Sequence, residues 1–335
     1  MKLLLTGGTG FIGSHTAVEL IAKKHDVVII DNLCNSKKEV VNGIKKITGI
    51  KPIFYEGDIR DENILRKIFK KEKIDGVIHF AGLKAVGESV EKPDLYFDNN
   101  VNGFKTLLKC MDEYGVKQII FSSSATVYGT PKTLPIKENA PVRKATNPYG
   151  QTKIDIEKLL FEKVKKDKKF NAVILRYFNP VGSHSSFVIG EDPNGIPNNL
   201  MPVVCDVACG KRKKLTIFGN NYKTRDGTCI RDYIHVVDLA KAHVAAMKKF
   251  KDKPNAYIYN LGTGKGTSVL ELVKAFEKAN KLKLNYEFGK RRQGDVMSCY
   301  ASPLKAKKEL GWSAKFNIER MCKDSYGFRL NQKKK

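Results

Sequence analysis

The sequence predicts an α/β protein: a doubly wound parallel sheet followed by a smaller C-terminal α/β lobe. Three observations carry this. An apolar run leads through a glycine-rich turn into a helical pattern at the N-terminus. Short β-branched runs then alternate with helical periodicity, the signature of a parallel sheet covered on both faces. Beyond Phe178 the alternation gives way to loop-rich chain.

Met1 to Thr6 reads as a short strand entering Gly7-Gly8-Thr9-Gly10-Phe11-Ile12-Gly13, after which Ile12, Ala17, Val18, Leu20 and Ile21 mark a helix. Val27-Val28-Ile29-Ile30 is an apolar run suited to a strand buried on both faces. Further strands are expected at Ile53-Phe54-Tyr55, Val77-Ile78-His79-Phe80, Gln118-Ile119-Ile120-Phe121 and Ala172-Val173-Ile174-Leu175. Helices are expected at Glu62 to Lys71, Leu95 to Tyr114 and Tyr149 to Lys165. Residues 1–178 form the expected dinucleotide domain. Residues 179–335 form a substrate lobe, with some chain returning to the first domain. The cleft at the carboxyl ends of the strands is where ligands of such sheets bind.

Composition narrows the classes. Hydrophobic residues make up 41% of the 335, enough for a sizeable core. The start, Met1-Lys2-Leu3-Leu4-Leu5, is cut short by Thr6-Gly7-Gly8 before a signal-peptide core can form, and no apolar run reaches bilayer length. Seven scattered cysteines suit a reducing compartment, so a cytoplasmic protein is expected. Cys205 and Cys209 could share a helix face but lack a second ligand pair, so no metal is expected. The 61 Lys and Arg against 35 Asp and Glu give a net charge of +26. The basic runs, Lys211-Arg212-Lys213-Lys214 and Lys165-Lys166-Asp167-Lys168-Lys169, are short and lack interleaved aromatics. They read as solvated faces, with neither nucleic acid nor membrane as partner.

Gly7, Gly10 and Gly13 between strand and helix allow a tight turn, close approach of a pyrophosphate and close helix packing, as in the Rossmann fold. The helix N-terminus offers unsatisfied N–H groups to the phosphates. Asp31, about 20 residues on at a strand end, can accept both ribose hydroxyls and repels a 2′-phosphate. NAD is therefore favoured over NADP, despite Lys37 and Lys38 nearby. Asp58, after the third strand, is placed to meet the adenine.

Tyr149 and Lys153 lie one helical turn apart and face the same way. A free phenol titrates near pH 10. Positive charge from Lys153 and an oxidised nicotinamide would favour the phenolate and lower that value. Ser122-Ser123-Ser124 is expected just past a strand end, where a hydroxyl could share the proton of a substrate alcohol.

With those residues in place, the chain resembles the extended short-chain dehydrogenases, and within them the UDP-galactose/UDP-glucose 4-epimerase family. The matching stretches are Thr6 to His15, Asp31 to Ser36, His79 to Ser89, Ser122 to Gly129, Leu175 to Gly182, Gly190 to Pro202 and Arg231 to His235. The likeness runs from residue 1 to about 315. It implies Ser124, Tyr149 and Lys153 as the catalytic set. It implies NAD against Gly7, Gly10, Phe11, Ile12, Gly13, Asp31, Asn32, Asp58, Ile59, Phe80, Ala81, Lys84, Asn99 and Phe178. It implies UDP-sugar against Asn179, Asn199, Leu200, Arg231, Arg292 and Asp295; two arginines suit a diphosphate, and Arg291 reads as a surface residue. It also implies a homodimer through the helices at Leu95 to Tyr114 and Tyr149 to Lys165. The activity implied is 4-epimerisation of UDP-hexoses through a transient 4-keto sugar.

Two other functions fit the residues less well. A nucleotide-sugar dehydratase of the same superfamily would carry an Asp-Glu pair after the catalytic hydroxyl, whereas Ser124 is followed by Ala125-Thr126. A catalytically silent NAD-binding or nucleic-acid-binding protein would not need Ser124, Tyr149 and Lys153. Within the family, the position of Cys299 lines the sugar end of the pocket. A small residue there implies that UDP-GlcNAc and UDP-GalNAc are substrates beside the plain UDP-hexoses.

Overall fold

The computed structural model describes every residue except 143, 144, 196, 198, 293, 334 and 335. In chain order the first elements are β1 (Lys2–Thr6), α1 (Phe11–Ala22), β2 (Asp26–Asp31), α2 (Glu39–Thr48), β3 (Ile53–Glu56), α3 (Glu62–Glu72) and β4 (Gly76–His79). Then come α4 (Val86–Glu91), α5 (Pro93–Tyr96), a wide π-turn segment (Phe97–Asn102), α6 (Gly103–Glu113), β5 (Gln118–Ser124), a short 3-10 turn (Ala125–Tyr128), α7 (Pro148–Lys166) and β6 (Asn171–Tyr177). The remaining chain forms β7 (Asn179–Val181), α8 (Leu200–Ala208), β8 (Leu215–Phe218), β9 (Ile230–Arg231), β10 (Tyr233–His235), α9 (Val236–Ala246) and β11 (Ala256–Leu261). It ends with β12 (Thr267–Ser268), α10 (Val269–Asn280), β13 (Tyr286–Gly289), β14 (Ser298–Cys299), α11 (Leu304–Leu310) and α12 (Ile318–Lys333).

Two compact units result. One comprises residues 1–129, 141–176 and 240–259; the other comprises 130–140, 177–239 and 260–335. Segment 130–140 thus lies with the second unit, and 240–259 returns to the first.

The first unit is built on a seven-stranded sheet in the order β11-β6-β5-β4-β1-β2-β3. β1 pairs in parallel with both β2 and β4, so the strand order reverses beside β1. That reversal opens the crevice at the carboxyl ends where ligands of doubly wound sheets bind. Leu4, Val28, Val77, Ile119 and Ile174 from the strands meet Leu65, Phe104, Leu107 and Leu160 from the helices in one buried cluster. Continuous apolar strands follow from burial on both faces.

The second unit has smaller sheets: β7 with β10, β8 with β13, and β9 between β12 and β14. Its core joins Leu215 and Ile217 to Val204, Leu272, Phe276 and Met321. α10 starts in a capping box of Ser268 and Glu271, one hydroxyl and one carboxylate satisfying two orphan N–H groups. Cys205 belongs to this core and Cys209 is buried, and no cluster of metal-ligating side chains occurs among the described residues. No helix among them is long and apolar enough to cross a membrane.

Candidate active site

The glycine turn sits at the strand-order reversal. Gly7 has φ +69°, and a Cβ there would lie 2.7 Å from the backbone nitrogen of Ala81, just after β4. A Cβ on Gly13 would collide with the carbonyl of Gly7 and approach the Gly8 Cα to 2.8 Å, so α1 packs on the turn only without a side chain. Gly10 differs. Its Cβ would meet only the Gly7 oxygen, at 3.2 Å, leaving open space before it. Gly10 is also the N-cap of α1 and provides no side-chain cap, so the first N–H groups, at Phe11, Ile12 and Gly13, stay available to an anion.

At the end of β2, buried Asp31 accepts from the backbone of Thr9 (3.1 Å) and Leu33 (2.9 Å) and from the Ser36 hydroxyl (2.9 Å). These donors hold the carboxylate beside the glycine turn. Exposed Asn32 donates to Asp58 at 2.9 Å. The Arg60 guanidinium, doubly bonded to Asp58, holds that carboxyl down at about 2. Ile59 is buried, while Phe80 and Ala81 follow β4 half-buried. Lys38 pairs with Glu56 at 3.1 Å. An uncapped helix start, a glycine facing open space and a carboxylate at the next strand end fit a dinucleotide.

Deeper in the same unit, α7 opens with Asn147 capping the Gly150 N–H at 2.8 Å and Pro148 in the first turn. This start places Tyr149 and Lys153 on successive turns of one face. The Tyr149 phenol is half-buried and hydrogen-bonded to Ser124. The Lys153 ammonium is buried, donates to the Ser122 carbonyl at 2.8 Å and stands 5.0 Å over the Phe121 ring. Burial pushes Lys153 down to about 8, with Glu157 pulling the other way. The serines lie within β5 rather than past its end, because the strand continues to Ser124 before the chain turns.

In the chain by itself the phenol is shifted upward. Burial raises the Tyr149 pKa, and the Ser124 hydrogen bond opposes that rise. Positive charge at Lys153 does not bring the phenol below its ordinary value in the chain by itself. The buried Asn99 amide donates to Asn100 at 2.9 Å. Asn100 also accepts from the Leu83 N–H (2.8 Å) and donates to Thr152 (3.1 Å), which in turn donates to the Tyr149 carbonyl (2.7 Å). Sequence reasoning missed Asn100. Its signal, two adjacent asparagines inside an apolar helix pattern, could have found it. Lys84 is exposed on the loop between β4 and α4.

The second unit carries the other candidates. Phe178 is buried, and its N–H bonds the Leu261 carbonyl at 3.3 Å. Asn179 is exposed and held through its backbone to Asp232 (2.9 Å). Asn199 precedes α8 and donates to Glu191 at 2.5 Å; Leu200 is the first residue of that helix. The stretch Gly190 to Pro202 includes residues 196 and 198, which lie outside the described residues. Arg231 and Arg292 converge on Asp295, at 3.4 and 2.9 Å. Arg231 also donates to the carbonyls of Ile230 and Val296, at 2.9 and 2.7 Å. Arg291 instead packs over the Tyr222 ring, 4.1 Å from its centroid.

Cys299 pairs with Arg231 across β14 and β9. Burial pushes its thiol up to about 11, against the pull of Arg231. Tyr300 points the other way: its ring and Ile230 crowd Gly266, where a Cβ would lie 3.0 Å from the ring. Alternation along the strand therefore separates Cys299 from Tyr300. Asp232, buried between these residues, accepts from the N–H groups of Thr263, Gly264 and Ala301 at 2.7 to 3.0 Å.

Comparison with known proteins adds three findings. Residues 4–325 match the family model described as GDP-mannose 4,6 dehydratase. The chain is 55% identical over 326 residues to a UDP-glucose 4-epimerase of Bacillus subtilis, covering 97% of this chain and 96% of that one. It is 50% identical to the crystal structure of the UDP-glucose 4-epimerase of Bifidobacterium longum in complex with NAD+ and UDP, with a TM-score of 0.97 and 99% of each chain covered.

Proposed function

The chain belongs to the UDP-glucose 4-epimerases of the extended short-chain dehydrogenase family, and from that premise we propose how its own residues carry the reaction. It is an NAD-dependent UDP-hexose 4-epimerase. NAD, when bound, would supply the hydride chemistry at C4 of the sugar. Gly7, Gly10, Gly13, Phe11, Ile12, Asp31, Asn32, Asp58, Ile59, Phe80, Ala81, Lys84, Asn99 and Phe178 hold the coenzyme. Tyr149 withdraws the proton of the 4-hydroxyl as the carbonyl forms at C4, and returns it when the carbonyl is consumed. Ser124 shares that hydrogen bond, and the Lys153 ammonium stabilises the phenolate.

Arg231 and Arg292 turn from Asp295 toward the diphosphate, and Asp295 is left to meet ribose hydroxyls. Asn179, Asn199 and Leu200 complete the grip on the nucleotide. Tight anchoring of the part that does not react leaves the 4-keto sugar able to rotate and present its opposite face. Cys299 leaves room there for an acetamido group, so UDP-GalNAc and UDP-GlcNAc are also interconverted. The enzyme works as a homodimer, and its seven free thiols suit the cytoplasm; recovery with the membrane or secreted fraction would refute that location.

The observation that carries this reading is the Tyr149 phenol bonded to Ser124 with Lys153 one turn on. The dehydratase alternative lacks its acid pair, since Ala125 and Thr126 follow Ser124 in a tight turn. The test is incubation with UDP-galactose, which should yield UDP-glucose without consuming added NADH. Tyr149→Phe should keep the fold and bound NAD(H) and lose roughly three or more decades of rate. A variant retaining a tenth of the activity would remove Tyr149 from its role.

A further inference from the structure

We propose that Glu157 is a positioning residue for this reaction, bracing the strand end that carries Ser124 against the reacting face of α7. The inference rests on the reading of Tyr149 and Lys153 as the reacting pair.

Tyr149, Lys153 and Glu157 follow one another at single-turn spacing on α7, and so share a face. The last three residues of β5 each meet one of them. The Ser122 carbonyl accepts from Lys153 (2.8 Å), the Ser123 hydroxyl donates to Glu157 (2.5 Å), and Ser124 bonds Tyr149. Of these three links, two end on the reacting pair, and the middle one ends on a carboxylate outside it.

That carboxylate is itself fixed. Arg176, on β6 beside β5, donates to both Glu157 oxygens, at 3.0 and 2.6 Å. The two side chains are 1% and 2% exposed. The third arm of the guanidinium donates to the Tyr128 hydroxyl at 2.9 Å, and the guanidinium carbon lies 4.8 Å from the centre of that ring. Tyr128 closes the tight turn that begins at Ser124. Glu157 and Arg176 therefore grip the segment on both sides of Ser124, at Ser123 before it and Tyr128 after it.

Isolated buried ion pairs add little net stability and can often be replaced by apolar residues. A pair with four directed hydrogen bonds, three of them arginine's and one on each flank of a reacting serine, sets geometry instead. Glu157 has a second effect, as a negative charge on the same helix that opposes the loss of the Lys153 proton. The other titratable groups facing Lys153 are the Tyr149 phenol and His79 of β4, which burial pushes down to about 3 and so leaves neutral.

Epimerisation of UDP-galactose by the holoenzyme tests this, with kcat, KM and the pH profile of kcat for each variant. Ser123→Ala leaves the ion pair intact and cuts only the brace; kcat should fall about tenfold with KM within twofold. Glu157→Gln should lower kcat further and move the alkaline limb to lower pH, because Lys153 loses the charge that keeps it protonated. Glu157→Gln with Arg176→Gln removes the unpaired charge, and kcat should stay low. Recovery of wild-type kcat in that double variant would reduce Glu157 to a fold-stabilising partner and overturn the proposal. So would an undiminished kcat in Ser123→Ala, which decides the matter even if Glu157→Gln fails to fold. Should the wild type itself not epimerise UDP-galactose, the parent reading fails instead.

Discussion

Tyr149 is a weaker acid in this chain than in water, because burial costs the phenolate more than the Ser124 hydrogen bond returns. Positive charge from a bound nicotinamide would act in the opposite direction and favour the phenolate. At the same scale, Cys299 faces the side of β14 that Arg231 occupies, and Tyr300 faces the other. The wild type should thus convert UDP-GalNAc, and Cys299→Tyr should lose that reaction by overpacking while UDP-galactose is spared within roughly threefold. Inertness of the wild type toward UDP-GalNAc at high enzyme concentration would sink the specificity reading. Tyr149, Lys153 and the glycines were legible because their chemistry is tied to local spacing. Glu157 and Arg176 were not, since their meaning lies in partners up to 48 positions away, as from Arg176 to Tyr128.

Among elements, the glycine turn and α7 follow the sequence pattern to within a residue or so. The helix expected from Leu95 to Tyr114 does not: α5, a π segment and α6 occupy that stretch. Apolar periodicity reports which face is buried, not how tightly the backbone winds. The widened turns put Asn99 and Asn100 side by side inside, where Asn99 donates to Asn100 and the Asn100 amide serves Leu83 and Thr152. At α1, two glycines separate packing from binding. Gly13→Ala meets backbone that cannot yield, and should lower stability by about 1 to 3 kcal/mol in thermal unfolding. Gly10→Ala meets almost nothing of the protein. It should leave the melting temperature of the coenzyme-free chain close to wild type and release NAD during purification. Equal losses of stability in both would show that Gly10 is a packing glycine too.

For the whole molecule, some chain was expected to return to the first domain, but the sequence did not locate the segments that change units, 130–140 and 240–259. Both depend on contacts far apart in the chain. Leu95 on α5 and Phe161 on α7 are each 40% exposed on elements that pack together. This apolar face is our candidate for the dimer contact. Phe161→Glu should convert a particle of twice 37.6 kDa into one of that mass by light scattering, and an unchanged dimer would place the contact elsewhere. The return of 240–259 has a consequence for biosynthesis. β6 has β5 on one side but receives its other neighbour only from β11, whose first residue follows the end of β6 by 79 positions. A nascent chain that has just completed β6 exposes an unpaired backbone edge on its most apolar sheet. Translation must pass through the whole intervening stretch before that edge is covered.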